Sequence, residues 1–470
     1  MTWPRLLQAE WTKFRSVRGW AGGIAVAALL MLLFPVVGLA GGGGDKQASA
    51  ATLGPDGEPV SDSYFFVHRV LAGDGQITVE VKGLASERGT PWAKAGLIIS
   101  AGPEPGARYA AVLVTAGHGV RMQHDYRYDR ASSDAAARWL RLTRRADTII
   151  GEASADGQSW SRIDTVRLPG LATTVRAGLF VTCPDRVQGI GTASDTATAE
   201  FGTPRVMGDW SPAAWAGGQV GAYGARGGFT PSANGFTVSG AGDLAPATRG
   251  DVPVAAAAGD LLLGTFLALI VVVVVATLTI TTEYRYGLIR GTLSARPRRG
   301  RVLAAKATVL AGVTFAAGLG ATVVALPLWL RLIRGLGIFV FPAPPGVLLR
   351  AEVGTAAVLA AVAVFALALG TVLRRSATAV TAVVATTVLP YLLALVPFLP
   401  PPMAQWLTRF TPVAGLAVQQ TLIRYPQVDS VYTPADGYYP LAPWAGFAVL
   451  CGYTALALAV ALIVLRRRDA

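Results

Sequence analysis

The sequence predicts an integral membrane protein: six transmembrane helices, with an all-β extracellular domain inserted between the first and second. Three observations carry this. First, long uncharged runs recur: 26 residues between Arg18 and Asp45, 22 between Asp260 and Glu283, 24 between Lys306 and Arg331, 21 between Glu352 and Arg374, 33 between Arg375 and Arg409, and 29 between Asp436 and Arg466. About 20 apolar residues at 1.5 Å rise cross the roughly 30 Å hydrocarbon core. Second, the net charge of +13 is one-sided. The N-terminus to Arg18, the 281–306 loop, Arg374–Arg375 and the tail from Arg466 hold 16 bases and 3 acids, while the rest holds 25 of each. Short segments this basic stay in the cytoplasm. Third, 41–256 has no helical periodicity and breaks into short β-type runs separated by turn residues.

In chain order, residues 3–18 read WPRLLQAEWTKFRSVR. Trp3, Leu6, Leu7, Trp11 and Phe14 recur at three- and four-residue steps, with Arg5, Gln8, Thr12, Lys13, Arg15 and Ser16 opposite. That pattern predicts an amphipathic interfacial helix over 1–18, aromatic face toward lipid. Pro4 suits its first turn. The run 19–40 is the first span. Gly38-Leu39-Ala40 resembles a signal cleavage site, but the apolar run exceeds the 7–15 residues of a signal peptide.

Over 41–256 the β-type runs include YFFVHRVL (64–71), then an AGDG turn, QITVEVKGL (76–84), RYAAVLVT (108–115), RWLRLTRR (138–145) and TVRAGLFVT (174–182). Alternation is clearest in Trp139-Leu140-Arg141-Leu142. Strands about ten residues apart with Asp-Gly turns indicate a sandwich. The second span is 257–280, the cytoplasmic loop 281–306, spans three to six occupy 307–465, and 466–470 is a cytoplasmic tail. Both termini therefore lie inside. The segment 403–425 is too short and polar to span; it either lies on the outer surface or dips in and returns.

The loop TTEYRYGLIRGTLSARPRRGRVLAAK holds one acid and seven bases. Tyr284, Tyr286, Leu288, Ile289 and Leu293 supply apolar knobs, Arg285 and Arg290 charge, and Gly287 and Gly291 close backbone approach. Pro297 ends the predicted short helix. Glu283 is expected to favour that helix's N-terminal dipole. The plainer alternative is that the arginines only hold the loop inside.

Two resemblances follow from these residues. GDGQITVEV, PWAKAGLII, RYAAVLVT and SADGQSW with VRAGLFVT resemble the concanavalin/laminin-G-like jelly roll, over about 61–203. In that family a strand like GFTVSGAGD comes first; here it sits at 235–243, which implies a permuted sandwich. LLQAEWTKFRSVRGW and the 281–306 loop resemble the permease subunits of type-two ABC exporters of actinobacteria, over about 1–40 and 257–470. That likeness implies a short coupling helix seated on an ATPase. Its residues would be Glu283, Tyr284, Arg285, Gly287, Leu288, Arg290 and Leu293, with Trp3, Leu7, Trp11 and Phe14 marking the interfacial helix. It further implies a separate ABC ATPase subunit in two copies and a second permease copy or paralogue, with membrane lipid around the spans.

Other classes fit less well. A phosphate-binding loop needs G-x-x-x-x-G-K-[ST]. The five lysines are Lys13, Lys46, Lys82, Lys94 and Lys306, and none follows a glycine. ATP hydrolysis is thus expected on another chain, and this one is expected to have no catalytic residue, cofactor or metal site. The high charge is explained by topology and gives no ground for nucleic-acid binding. Cys183 and Cys451 fall in different segments and are not expected to pair. Asp125 and Asp129 flank a strand end as a solvated turn or at most a Ca²⁺ site. Trp92, Trp139 and Trp160 read as core rather than sugar platforms. The expected role is export of a hydrophobic or amphipathic substrate across the plasma membrane. The alternative is a membrane-anchored glycan- or peptide-binding sensor using the β domain.

Overall fold

The computed structural model describes residues 3–35, 51–102, 104–189, 191–221, 227–252, 255–287, 299–396 and 399–468. The chain divides into a helical unit, Met1–Ser49 with Val254–Ile423 and Tyr432–Ala470, and a β unit, Ala50–Pro253 with Arg424–Val431.

In the helical unit, α1 (Trp3–Ser16) and α2 (Arg18–Leu33) meet at Val17 with an 80° bend. Phe14 and Trp20 pack across that corner with rings 6.2 Å apart. Next come α3 (Thr265–Arg285), α4 (Arg299–Gly335), α5 (Pro345–Leu373), α6 (Ser376–Thr387), α7 (Leu389–Ala394), α8 (Pro401–Phe410) and α9 (Pro443–Arg468). Five stretches among the described residues are long and apolar enough to cross a bilayer: Ala258–Arg285, Gly300–Gly335, Pro345–Leu373, Ser376–Ala394 and Pro443–Arg467. The bent pair α1–α2 adds a sixth if it counts as one broken span. Each of the five coincides with an uncharged run. The fourth of these is broken at Val388, where Pro390 lacks the N–H that a continuous helix would use.

Helix packing relies on small residues. A Cβ at Gly370 of α5 would lie 2.8 Å from Ile280 of α3, so the glycine lets the two helices approach closely. The 403–425 segment divides. Its first part forms α8, and Pro412–Gln419 forms a 3-10 helix whose every residue is buried against α5 and α9. There Gln419 Nε2 donates to Thr265 Oγ1 and Thr355 Oγ1, each at 3.0 Å, so the buried amide is satisfied by α3 and α5.

The β unit is antiparallel throughout and centres on one 23-residue strand, Tyr64–Ser86. The sequence reading divides this stretch with an AGDG turn. The structure corrects that: Gly73 takes a left-handed φ of +66°, and pairing continues on both sides of it. The first part of the strand pairs with Thr174–Thr182 and Ala216–Val220, the middle with Arg205–Trp210 and Trp139–Arg145, the end with Ala197–Gly202. The sheet continues through Lys94–Ser100, Tyr109–Thr115, Val120–His124 and Tyr128–Ala131 on one branch, and Thr148–Ser154 and Ser161–Arg167 on another.

Trp139–Arg145 alternates inward and outward, as its sequence does. Lys94–Ser100 and Tyr109–Thr115 are buried on both faces and correspondingly read as near-continuous apolar runs. One face joins the main core around Val67, Leu97, Val112 and Leu140; the other joins Tyr64, Phe66, Ile98, Tyr109 and Phe180. Lys94 is fully buried and is satisfied by Asp243 at 2.6 Å and the Leu244 carbonyl at 3.0 Å. The late strand Gly235–Gly240 pairs with Ala197–Gly202 and places Val238 in the main core.

Candidate functional site

The residues around the 281–306 loop meet in a buried charge cluster at one end of the helical unit. Glu283 lies in the last turn of α3, Lys306 two turns into α4, and Glu10 and Lys13 on α1. Glu10, Glu283 and Lys306 are 7%, 3% and 5% exposed. Lys306 Nζ donates to Glu10 Oε2 at 2.8 Å and to Glu283 Oε1 at 2.9 Å, and Lys13 Nζ donates to the same Glu283 oxygen. Two acids and two bases form a neutral, closed set. Isolated burial of any one would be costly; mutual pairing removes that cost only while all partners stay in place.

The local sequence produces this arrangement. On α1, Leu6, Glu10 and Phe14 recur at four-residue spacing and line the buried face, with Lys13 one turn from Glu10. The predicted single aromatic face is therefore split. Leu6 and Phe14 point into the helical unit, Leu7 is half-buried, and Trp3 and Trp11 are exposed on the neighbouring stripe. The cause is Glu10, which must lie on the inner face to reach Lys306.

Glu283 also departs from expectation. It stands at the C-terminal end of α3 rather than at the N-terminus of a loop helix. A carboxylate there opposes the helix dipole, and the two lysines offset this. Beyond it, Tyr286 and Gly287 close the helix: Tyr286 N–H donates to the Thr282 carbonyl, and Gly287 has φ +67°. Tyr284 is half-buried beneath the guanidinium of Arg374, 4.9 Å from its ring. Arg374 ends α5 in a left-handed conformation, φ 58°. Arg285, Tyr286 and Gly287 are exposed. Leu288, Ile289, Arg290, Gly291, Leu293 and Pro297 lie outside the described residues. The cluster thus joins α1 to the two helices that flank the loop. Sequence reasoning missed Glu10, Lys13 and Lys306 as partners. The available signal was that Glu10 is the one acid before Asp45 in an otherwise basic segment.

In the β unit, Asp125 accepts from Arg108 at 3.0 Å and Asp129 from Arg121 at 2.8 Å. Among the described residues no group of three or more His, Cys, Asp or Glu side chains is placed to hold a metal ion. Trp92 is buried and stacks on His118 at 4.0 Å, while Trp139 and Trp160 are only half-buried, the latter under Arg141 at 3.6 Å. Cys183 is buried and Cys451 exposed, both as free thiols. Burial pushes the Asp62 carboxyl up to about 6, against the donation it receives from Gly106 N–H at 2.7 Å. Burial also raises Asp125, while the backbone N–H groups of Ser159 and Gln158 hold Asp156 down at about 2.

No family model and no curated protein matches the chain. A solved structure described as a functionally unknown protein from Saccharomyces cerevisiae aligns over 31% of this chain and 74% of that one. The two are 16% identical, with a TM-score of 0.21. A likeness this loose assigns neither fold nor function.

Proposed function

We propose that this chain is the membrane-spanning permease subunit of an ATP-driven exporter, and that the segment from Glu283 to Leu293 couples it to a separate ATPase. The observation that carries the reading is the buried Glu10–Lys13–Glu283–Lys306 set. It fastens the helices on both sides of the loop to α1, leaving Arg285 and Tyr286 exposed at the loop's start. A loop anchored at both ends by buried charge is suited to transmit rigid-body motion from a nucleotide-driven partner. The pair α1–α2 then acts as interfacial helix plus first span, giving six spans. The basic clusters put both termini in the cytoplasm of a plasma-membrane protein. The β unit stands outside as a jelly-roll elaboration of the first external loop. Two permease copies, or this chain and a paralogue, would work with two ATPases on a hydrophobic or amphipathic substrate. Co-purification of the tagged chain with a P-loop ATPase, followed by transport-linked ATP turnover, tests the reading. A chain that reaches the membrane and captures no such partner would refute it.

A further inference from the structure

The chain passes between the two units four times rather than the two an inserted domain requires, because Arg424–Val431 belongs to the β unit while the residues on both sides belong to the helical unit. This short segment is docked, not merely adjacent. Gln427 is 4% exposed, and its Nε2 donates to the Arg127 carbonyl at 3.1 Å. Val428 is buried. Ser430 Oγ lies 3.1 Å from Thr248 Oγ1, whose proton is directed at Asp251 Oδ2 at 2.8 Å, so Ser430 is the donor.

The Gln427 acceptor lies in an unusual turn. Asp125 and Tyr126, neither of them glycine, both take left-handed backbone conformations, φ 43° and 60°. Asp125–Arg127 joins Val120–His124 to Tyr128–Ala131. L-residues avoid that conformation unless surrounding contacts hold it. Here Tyr126 is buried edge-on to Tyr109, its ring 4.9 Å away and its hydroxyl donating to the Ala107 carbonyl, and Gln427 completes the fastening at Arg127.

We propose that Arg424–Val431 is a conformational strap: it locks the Asp125–Arg127 turn of the β unit and ties that turn to the buried 3-10 segment Pro412–Gln419, which precedes it in the chain. The β unit is then an element of the helical unit's conformational cycle rather than a tethered passenger. Linkage makes such coupling reciprocal, so a perturbation of the turn is felt in the 3-10 segment only while the strap is docked. This holds whether or not an ATPase partner exists.

The test uses the full chain in lipid nanodiscs with hydrogen–deuterium exchange. Gln427→Ala with Ser430→Ala should speed exchange across 124–128 by about tenfold, the effect of losing buried hydrogen-bond partners. Tyr126→Ala should alter exchange over 412–422 in the otherwise native chain and leave it unaltered in the loosened-strap background. Unchanged protection at 124–128, or a Tyr126→Ala effect of equal size in both backgrounds, overturns the proposal. If the double substitution fails to fold, Gln427→Glu gives the same comparison, since it keeps the size and removes the Nε2 donor.

Discussion

Replacing Lys306 by methionine perturbs the buried charge set most cleanly. Methionine approximates the lysine stem but leaves Glu10 without a counter-charge at 8% side-chain exposure, while Glu283 keeps Lys13. Stranding one member of a buried ion pair costs about 3–5 kcal/mol. The lower part of that range applies here, because only Glu10 is left alone. At 1.4 kcal/mol per decade, about 3 kcal/mol is roughly a hundredfold change in the opening equilibrium of α1. Hydrogen exchange of the amides between Leu6 and Phe14, measured in nanodiscs, reads that change directly. The second step supplies the control. Adding Glu10→Leu removes the stranded charge and leaves a one-to-one Glu283–Lys13 pair, so most of the protection should return. A Lys306→Met chain as protected as the native one would refute the reasoning. So would a double variant no better than the single, since the cost would then come from packing rather than charge.

Further outcomes follow from the same geometry. Asp62, raised to about 6 by burial, holds its proton to higher pH in the folded state than unfolded. Its contribution is fully present below pH 3.8 and is lost as pH rises through 6, by about 3 kcal/mol. Melting the β unit of the full chain between pH 4 and 7 should therefore show a downward slope that Asp62→Asn flattens, and an identical slope in both proteins would contradict it. Val238, fully buried on the late strand, should cost about 1.5–3 kcal/mol when cut to alanine. A loss under about 0.5 kcal/mol, the usual limit for surface changes, would place that strand outside the core. In a background lacking both native cysteines, Ala155→Cys and Ser16→Cys, each at an exposed position, should differ toward an impermeant maleimide on intact cells. The first should label at once and the second only after permeabilisation; equal labelling would sink the external placement of the β unit.

What the sequence disclosed follows the range of the forces involved. The long apolar helices were legible because bilayer thickness fixes a minimum uncharged length, and 261–282 and 353–373 meet it with no tertiary information. Strands such as Trp139–Arg145 were legible by alternation. The division at AGDG was misread because a glycine in a left-handed conformation can bend a paired strand as readily as end it, and the flanking strands that decide the matter lie far away in sequence. Glu10 went unread as a site residue because its partner Lys306 is 296 positions distant. The same limit explains 403–425. Amphipathicity marked α8, but only long-range contacts assign Pro412–Gln419 to a buried 3-10 helix and Arg424–Val431 to the β unit.

The central claim is that the exposed start of the 281–306 loop seats a nucleotide-driven partner. The most direct measurement reconstitutes the chain with its co-purifying P-loop ATPase in nanodiscs and records both capture and ATP turnover, for the native chain and for Arg285→Ala with Tyr286→Ala. Both side chains are exposed and outside the buried charge set, so insertion and the helical fold should be unaffected. The account predicts weakened capture or turnover uncoupled from transport in the double variant. Native capture and native coupled turnover in that variant would contradict it and reduce the loop to an anchor of topology.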